Sequence, residues 1–267
     1  MKEILRRLIT GVVYVILLLS AVFLSSDAFD FLFMVFGLVC LYEYKRLVLL
    51  RGYYIFIAYL GLWWAYIYLI QERFLINLLM FVTIGINLLL LYYLFSKRKR
   101  LHFAYQKFIT GLFYIGGGCI FLTMIPYKDN EFAKFLIMGI FVLIWINDSF
   151  AYLVGKSIGR TKLFPRVSPK KTVEGVVGGF VFTMIGTYFL AKYEPILSLN
   201  QWFIIAVVVV LFGTLGDLVE SKLKRHAGVK DSGAILPGHG GLLDRLDSLI
   251  FAAPFAYLAL YIFTNVP

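Results

Sequence analysis

Three carboxylates in the second half of the chain are spaced to work together. Asp217 lies in GTLGDLVESKLKR, and Asp244 and Asp247 lie in LLDRLDS. On a helix, Asp217 and Ser221 share a face with Lys224 one turn further along, and Glu220 flanks Asp217. The bland reading of that segment is a solvated helix end with internal salt bridges. Asp244 and Asp247 are three apart, so a helix starting there projects both from its first turn. Either alone reads as an N-cap, because a helix N-terminus stabilises negative charge. A cap accounts for one Asp but not for both beside Asp217. Three carboxylates at the ends of adjacent helices repel one another unless a cation lies between them. Oxygen ligands of high charge suit Mg²⁺, which one or two carboxylates hold and substrate phosphates and water complete. Lys and Arg crowd the same segments, which favours a metal–phosphate site over a transport path.

A fourth carboxylate, Asp148 in WINDSFAYLVG, interrupts a long apolar run. An ionisable group at that depth is costly unless it is paired or wet, so it is a functional candidate; the alternative is a helix-end residue that caps or pairs locally. The stretch PGHGG around His239 lacks side-chain bulk and can bring backbone N–H groups close to an anion, although a plain turn explains it equally. The segment GKSIGRTKLFPRVSPKKTVEGVVGG carries six basic residues but admits no P-loop pattern. Its Ser168-Pro169-Lys170-Lys171-Thr172 run before Glu174 resembles a capped helix start that presents two Lys to a phosphate. Gly175, Gly178 and Gly179 read as close helix packing rather than ligand contact. With three His in the chain there is no zinc spacing, and no Ser–His–Asp set or dinucleotide fingerprint stands out.

Membrane helices must position these residues. The chain has 267 residues, 61% hydrophobic and 15% charged, a balance that a soluble domain of this size does not reach. Continuous apolar runs recur at about the 20 residues that cross a bilayer as helix, without the alternation of an outer-membrane barrel. The expected fold is therefore all-α and polytopic, with about nine transmembrane helices near 8–25, 28–43, 53–70, 74–95, 106–126, 132–154, 173–191, 201–220 and 248–264. An N-terminus on the cytoplasmic side puts 22 of the 26 basic residues inside, which fixes the expected orientation in a cell inner or plasma membrane. The first 25 residues read as a retained span rather than a cleaved signal. The net charge of +11 then reflects topology and attraction to anionic headgroups, not nucleic acid, and the basic run at 96–100 is an anchor. Cys40 and Cys119 fall in spans and imply no disulfide. One membrane domain, 1–267, is expected: a chemically quiet scaffold over 1–140, whose charges sit at wet span ends, and a catalytic half over 141–267 with cytoplasmic loops 155–172 and 221–247.

Residues 221–247, SKLKRHAGVKDSGAILPGHGGLLDRLD, resemble the signature of the phosphatidate cytidylyltransferases, the CDP-diacylglycerol synthases, and residues 147–179 are also similar to that family. Together these blocks cover roughly a quarter of the chain; the N-terminal half matches only in being polytopic. The resemblance implies that CTP and phosphatidate give CDP-diacylglycerol and pyrophosphate with Mg²⁺, and that a second cation can assist. It implies Asp217 and Asp247 as metal ligands with Asp244 nearby, and nucleotide or phosphate surrounded by Ser168, Lys170, Lys171, Thr172, Lys224, Arg225, Lys230 and His239. Lys224 and Asp244 join the catalytic candidates. Asp148, Ser221, Gly240 and Arg245 complete the candidate substrate site. Membrane lipids and a homodimer are the partners considered. A CTP-dependent polyprenol- or phytol-type lipid kinase, or a transporter built around Asp148 and broken helices, are the alternatives.

Overall fold

The computed structural model describes residues 2–96, 103–128, 131–194, 196–238 and 240–265. His239 and the basic run at 97–100 lie outside the described residues. The described residues form nine continuous helical rods: α1 (Lys2–Leu24), α2 (Ser26–Leu47), α3 (Tyr54–Trp64) extended by a π-helical turn (Ala65–Leu69), α4 (Arg73–Phe95), α5 (Ala104–Thr110) joined through a π-helical segment (Gly111–Gly117) to α6 (Gly118–Met124), α7 (Lys134–Ile158), α8 (Val173–Tyr193), α9 (Leu199–Ala227) and α10 (Leu243–Asn265). Each rod overlaps one of the nine stretches expected from the sequence. Six of them, α4, α5–α6, α7, α8, α9 and α10, are long and apolar enough to cross a membrane. Two shorter apolar helices cover Ile9–Leu24 and Tyr54–Leu69. The chain is thus a helical, multi-pass membrane protein.

The expected loops are shorter than the sequence suggests, and partly strand. α7 runs on to Ile158, and the connection after it folds as a hairpin, β3 (Lys162–Phe164) against β4 (Ser168–Thr172). A second hairpin, β1 (Tyr127–Lys128) with β2 (Glu131–Phe132), joins α6 to α7. α9 continues seven residues into the expected loop because nothing before Gly228 breaks it; Gly228 then ends it in the left-handed region at φ 73°. The polar connection between α9 and α10 is therefore 228–242. Start signals behave as their chemistry dictates. Ser198 and Gln201 form a capping box on α9, and the Thr172 hydroxyl accepts from Gly175 N to cap α8.

Lipid offers no hydrophobic drive between helices, so small residues and satisfied polar groups hold this bundle together. Along α8, an added Cβ on Gly175 or Gly179 would lie 2.7 Å from Ala151 O or 2.8 Å from Asn147 O of α7. The glycine spacing thus sets the α7–α8 contact, as expected. Thr183 and Thr187 return their hydroxyls to carbonyls one turn back, at 2.8 and 2.7 Å. α10 and α5–α6 are the most enclosed spans, with 67% of their apolar windows buried against 22% for α8. The outer face of α8 instead presents Val181, Ile185, Tyr188 and Phe189. Side-chain contacts gather alternate rod ends at one side of the molecule. Tyr44 of α2 donates to Lys107 O of α5 at 3.0 Å, and the buried Lys222 ammonium of α9 donates to Tyr93 O, Leu94 O and Ser96 O at the end of α4. That side carries the polar residues.

Candidate active site

Two glycines let α9 and α10 meet where the acids lie. Gly213 faces Ser248, and Gly216 packs so tightly that an added Cβ would sit 2.9 Å from Asp247 O and closer still to Phe251 Cβ. The next residue, Asp217, is thereby brought beside Asp247. Asp217, Glu220 and Asp247 each offer a carboxylate oxygen, and these oxygens lie within 4.8 Å of one another. Asp217 is paired with Lys171 of β4 and accepts from Ser221 Oγ at 3.2 Å. Asp247, 6% exposed, accepts from Ser248 N at 2.7 Å. Glu220 is fully buried; apart from an ion pair with Lys224, neither of its oxygens has a hydrogen-bond partner.

The composition of this cluster differs from the set that the resemblance implies. Asp244 is not its third member among the described residues; Glu220 is. Both Asp244 oxygens are engaged, by Lys224 Nζ at 2.6 Å, Ser232 N at 2.9 Å and Gly241 N at 2.7 Å. Asp244 therefore folds the connecting loop onto α10, which is close to its capping role. The sequence suggests Glu220 only as a flank of Asp217; a Glu three residues from Asp217 at the end of an apolar run is the available signal.

A cavity of about 860 Å³ opens beside the cluster. Its wall includes Asp148, Lys170, Lys171, Thr172, Asp217, Lys224, Asp244, Arg245 and Asp247, so nine of the candidate residues converge there. Lys162 of β3 joins the basic side. Thr10, Tyr14, Trp145 and Val176, from α1, α7 and α8, add an apolar flank. Asp148 lines the cavity, with Asn147 Nδ2 donating to it at 3.4 Å. Other candidates fall elsewhere. Ser168 is a hairpin residue paired with Phe164. Arg225 donates to Val167 O and Val229 O at 3.3 and 2.9 Å, tying α9 to the hairpin. Lys230 is exposed and does not line the cavity. Gly240, at φ 89°, makes a tight turn whose carbonyl accepts from Leu236 N at 3.0 Å.

The glycine-rich loop does receive an anion through its backbone, but the anion belongs to the protein. Glu43 of α2, 1% exposed, accepts from Leu242 N at 3.0 Å, Leu243 N at 2.8 Å and Ser232 Oγ at 2.9 Å. A Cβ on Gly233 or Gly241 would meet Glu43 Cδ at 2.8 or 2.7 Å, so both glycines are needed for this approach. The expectation that charges in the first 140 residues sit wet at span ends fails at Glu43. The signal available in sequence was an acid close behind the apolar run FMVFGLVCLY.

The cluster fits a divalent cation. Glu220 shares its Lys224 partner with Asp244 and sits beside two more acids, which leaves a surplus of negative charge, and an all-oxygen set of this kind suits Mg²⁺. With basic groups from β3, β4 and α10 opposite, the cavity can neutralise and orient a polyphosphate next to that cation.

Known proteins place this geometry in a lineage. A family model described as the cytidylyltransferase family matches residues 5–263. The chain is 37% identical over 279 residues to the phosphatidate cytidylyltransferase of Bacillus subtilis (strain 168), an alignment covering 99% of this chain and 100% of that one. It is 39% identical over 180 residues to the phosphatidate cytidylyltransferase of Staphylococcus aureus (strain COL), covering 66% of this chain and 67% of the relative. Matched from its first helix to its last, the chain belongs to the cytidylyltransferase family.

Proposed function

We propose that this protein is a phosphatidate cytidylyltransferase, transferring CMP from CTP to phosphatidate to give CDP-diacylglycerol and pyrophosphate. The observation that carries this reading is the Asp217–Glu220–Asp247 cluster, two of whose acids are buried, beside a basic cavity large enough for a nucleotide. The Lys162, Lys170, Lys171 and Arg245 side of that cavity suits the triphosphate, and the flank from α1, α7 and α8 suits the glycerol end of a lipid whose acyl chains stay in the bilayer. An oxygen of the phosphatidate phosphate attacks the α-phosphorus of CTP, a new P–O bond forms, and the bond from that phosphorus to the β-phosphate bridging oxygen breaks. The phosphate monoester is already a nucleophile, so positioning and charge neutralisation are the protein's main tasks. Lys170, Lys171 and Arg245 offset charge that accumulates on departing pyrophosphate. Asp217, Glu220 and Asp247 would hold Mg²⁺, which supplies charge neutralisation on the triphosphate. Lys224 spaces Glu220 from Asp244, and Asp244 holds the loop rather than the ion. In this reading the chain crosses nine times with a cytoplasmic N-terminus and the cavity faces the cytoplasm, where CTP is; the distribution of Lys and Arg supports that orientation.

Asp217→Asn and Asp247→Asn each test the assignment. Both should abolish CDP-lipid formation while the purified protein elutes as a folded, monodisperse species. Full activity in either variant would remove the cluster from the reaction.

A further inference from the structure

The residue before α10, Leu242, has an apolar side chain that offers no cap to the helix. The first N–H groups of a helix lack partners within it, and a neighbouring Ser, Thr, Asp or Asn normally supplies one. Here Asp244 turns back to Ser232 N and Gly241 N instead. The carboxylate that receives Leu242 N and Leu243 N comes from Glu43, about 200 residues upstream on α2. The same group accepts from Ser232 Oγ, so one carboxylate ties the middle of the 228–242 loop to the first turn of α10. Gly233 and Gly241 leave it the space, and its charge sits where the helix dipole favours it. Asp247 lies one turn along α10 from these N–H groups and Asp244 lies next to them. The height and rotation of that turn therefore set where Asp247 stands relative to Asp217 and Glu220.

We propose that Glu43 is a positioning residue for the cation centre, acting through the Leu242 and Leu243 N–H groups and Ser232 without touching substrate. This rests on reading Asp217, Glu220 and Asp247 as that centre. It gives the N-terminal half a direct part in the chemistry: α2 sets the geometry of a ligand carried by α10.

The test is Glu43→Gln, which keeps volume but replaces one acceptor oxygen with an NH₂ group. Whichever way the amide turns, the N–H of Leu242 or Leu243 then faces a donor. Three readouts apply to the purified, detergent-solubilised protein: Mn²⁺ affinity by electron paramagnetic resonance, the kcat and KM values for CTP and phosphatidate, and hydrogen exchange over 228–243. The expected result is roughly tenfold weaker Mn²⁺ binding, the size seen when a partner that orients a metal ligand is lost. It should come with a lower kcat, KM values within about twofold of wild type, and faster exchange in the loop. Ser232→Ala removes only the hydroxyl contact and should move the same readouts in the same direction by a few-fold, which keeps the test usable if Glu43→Gln misfolds. Wild-type Mn²⁺ affinity and kcat in either folded variant, with or without a loosened loop, overturn the proposal. A wild-type protein that binds Mn²⁺ but makes no CDP-lipid would refute the cytidylyltransferase reading alone, and the Mn²⁺ and exchange readouts would still decide on Glu43.

Discussion

Replacing Gly216 by Ala should disable the enzyme by moving two helices apart. The added methyl would lie 2.9 Å from Asp247 O and 3.0 Å from Phe251 Cγ, with Phe251 Cβ nearer still. Ordinary contacts of this kind begin at about 3.5 Å, and neither a backbone carbonyl nor a Cβ can swing aside. α9 and α10 must therefore separate locally by about 1 Å, at an overpacking cost of about 1–3 kcal/mol. Asp217 adjoins the methyl on α9 and Asp247 sits opposite on α10, so the gap opens between the two acids. Their ligand oxygens now lie within 4.8 Å. Two oxygens on one Mg²⁺ are at most about 4.2 Å apart, since each bond is about 2.1 Å. The wild-type cluster closes onto an ion by a small adjustment; one that is 1 Å wider does not. Turnover should fall by about 100-fold, the scale of a 1 Å misplacement, with a raised Mg²⁺ requirement. Gly213→Ala is the internal control. Its Cβ would meet Ser248 Cβ at 3.5 Å, an ordinary contact, so activity should stay near wild type. Radiolabelled CTP incorporation into lipid, titrated with Mg²⁺, reads both variants. Equal activity in the two would refute the claim that the Gly216 contact sets the separation of the acids.

Two further outcomes follow from individual contacts. Glu220→Gln removes one of the three clustered carboxylates and one of the two acids paired with the buried Lys224, so the protein should lose the rise in Tm that Mg²⁺ gives; an undiminished Mg²⁺-induced rise would take Glu220 out of the centre. Gly240→Ala forces a side chain into a backbone at φ 89° and sets a methyl 2.6 Å from Asp244 Oδ2, so Tm and kcat should both drop with no selective change in KM for CTP. A rise in that KM alone would return Gly240 to the nucleotide site.

The helical rods were legible because a bilayer demands about 20 apolar residues in a row, a demand that six of the rods meet in full. Asp217 and Asp247 were legible because each begins or ends such a run with charge that the membrane penalises. The hairpin at 162–172 was not, since its short, basic strands carry no alternating apolar pattern and are held by contacts such as Glu174 with Thr161 N at 3.0 Å. Spacing along one helix says nothing of who occupies a carboxylate's oxygens; for Asp244 that is set by Lys224 on α9 and by two loop N–H groups. Glu43 was out of reach because its partners lie some 200 residues away, and no local pattern encodes a cap supplied by another helix. The PGHGG turn is expected to bring backbone N–H groups to an anion; the N–H groups that reach Glu43 belong to Leu242 and Leu243, just after it.

The most direct test of the central claim is product identity. Purified protein with phosphatidate, Mg²⁺ and CTP labelled in the α-phosphate should release pyrophosphate and carry the label into a CDP-lipid in equal amounts. CDP with a newly phosphorylated lipid alcohol, or lipid and ion movement with no CTP consumed, would contradict it.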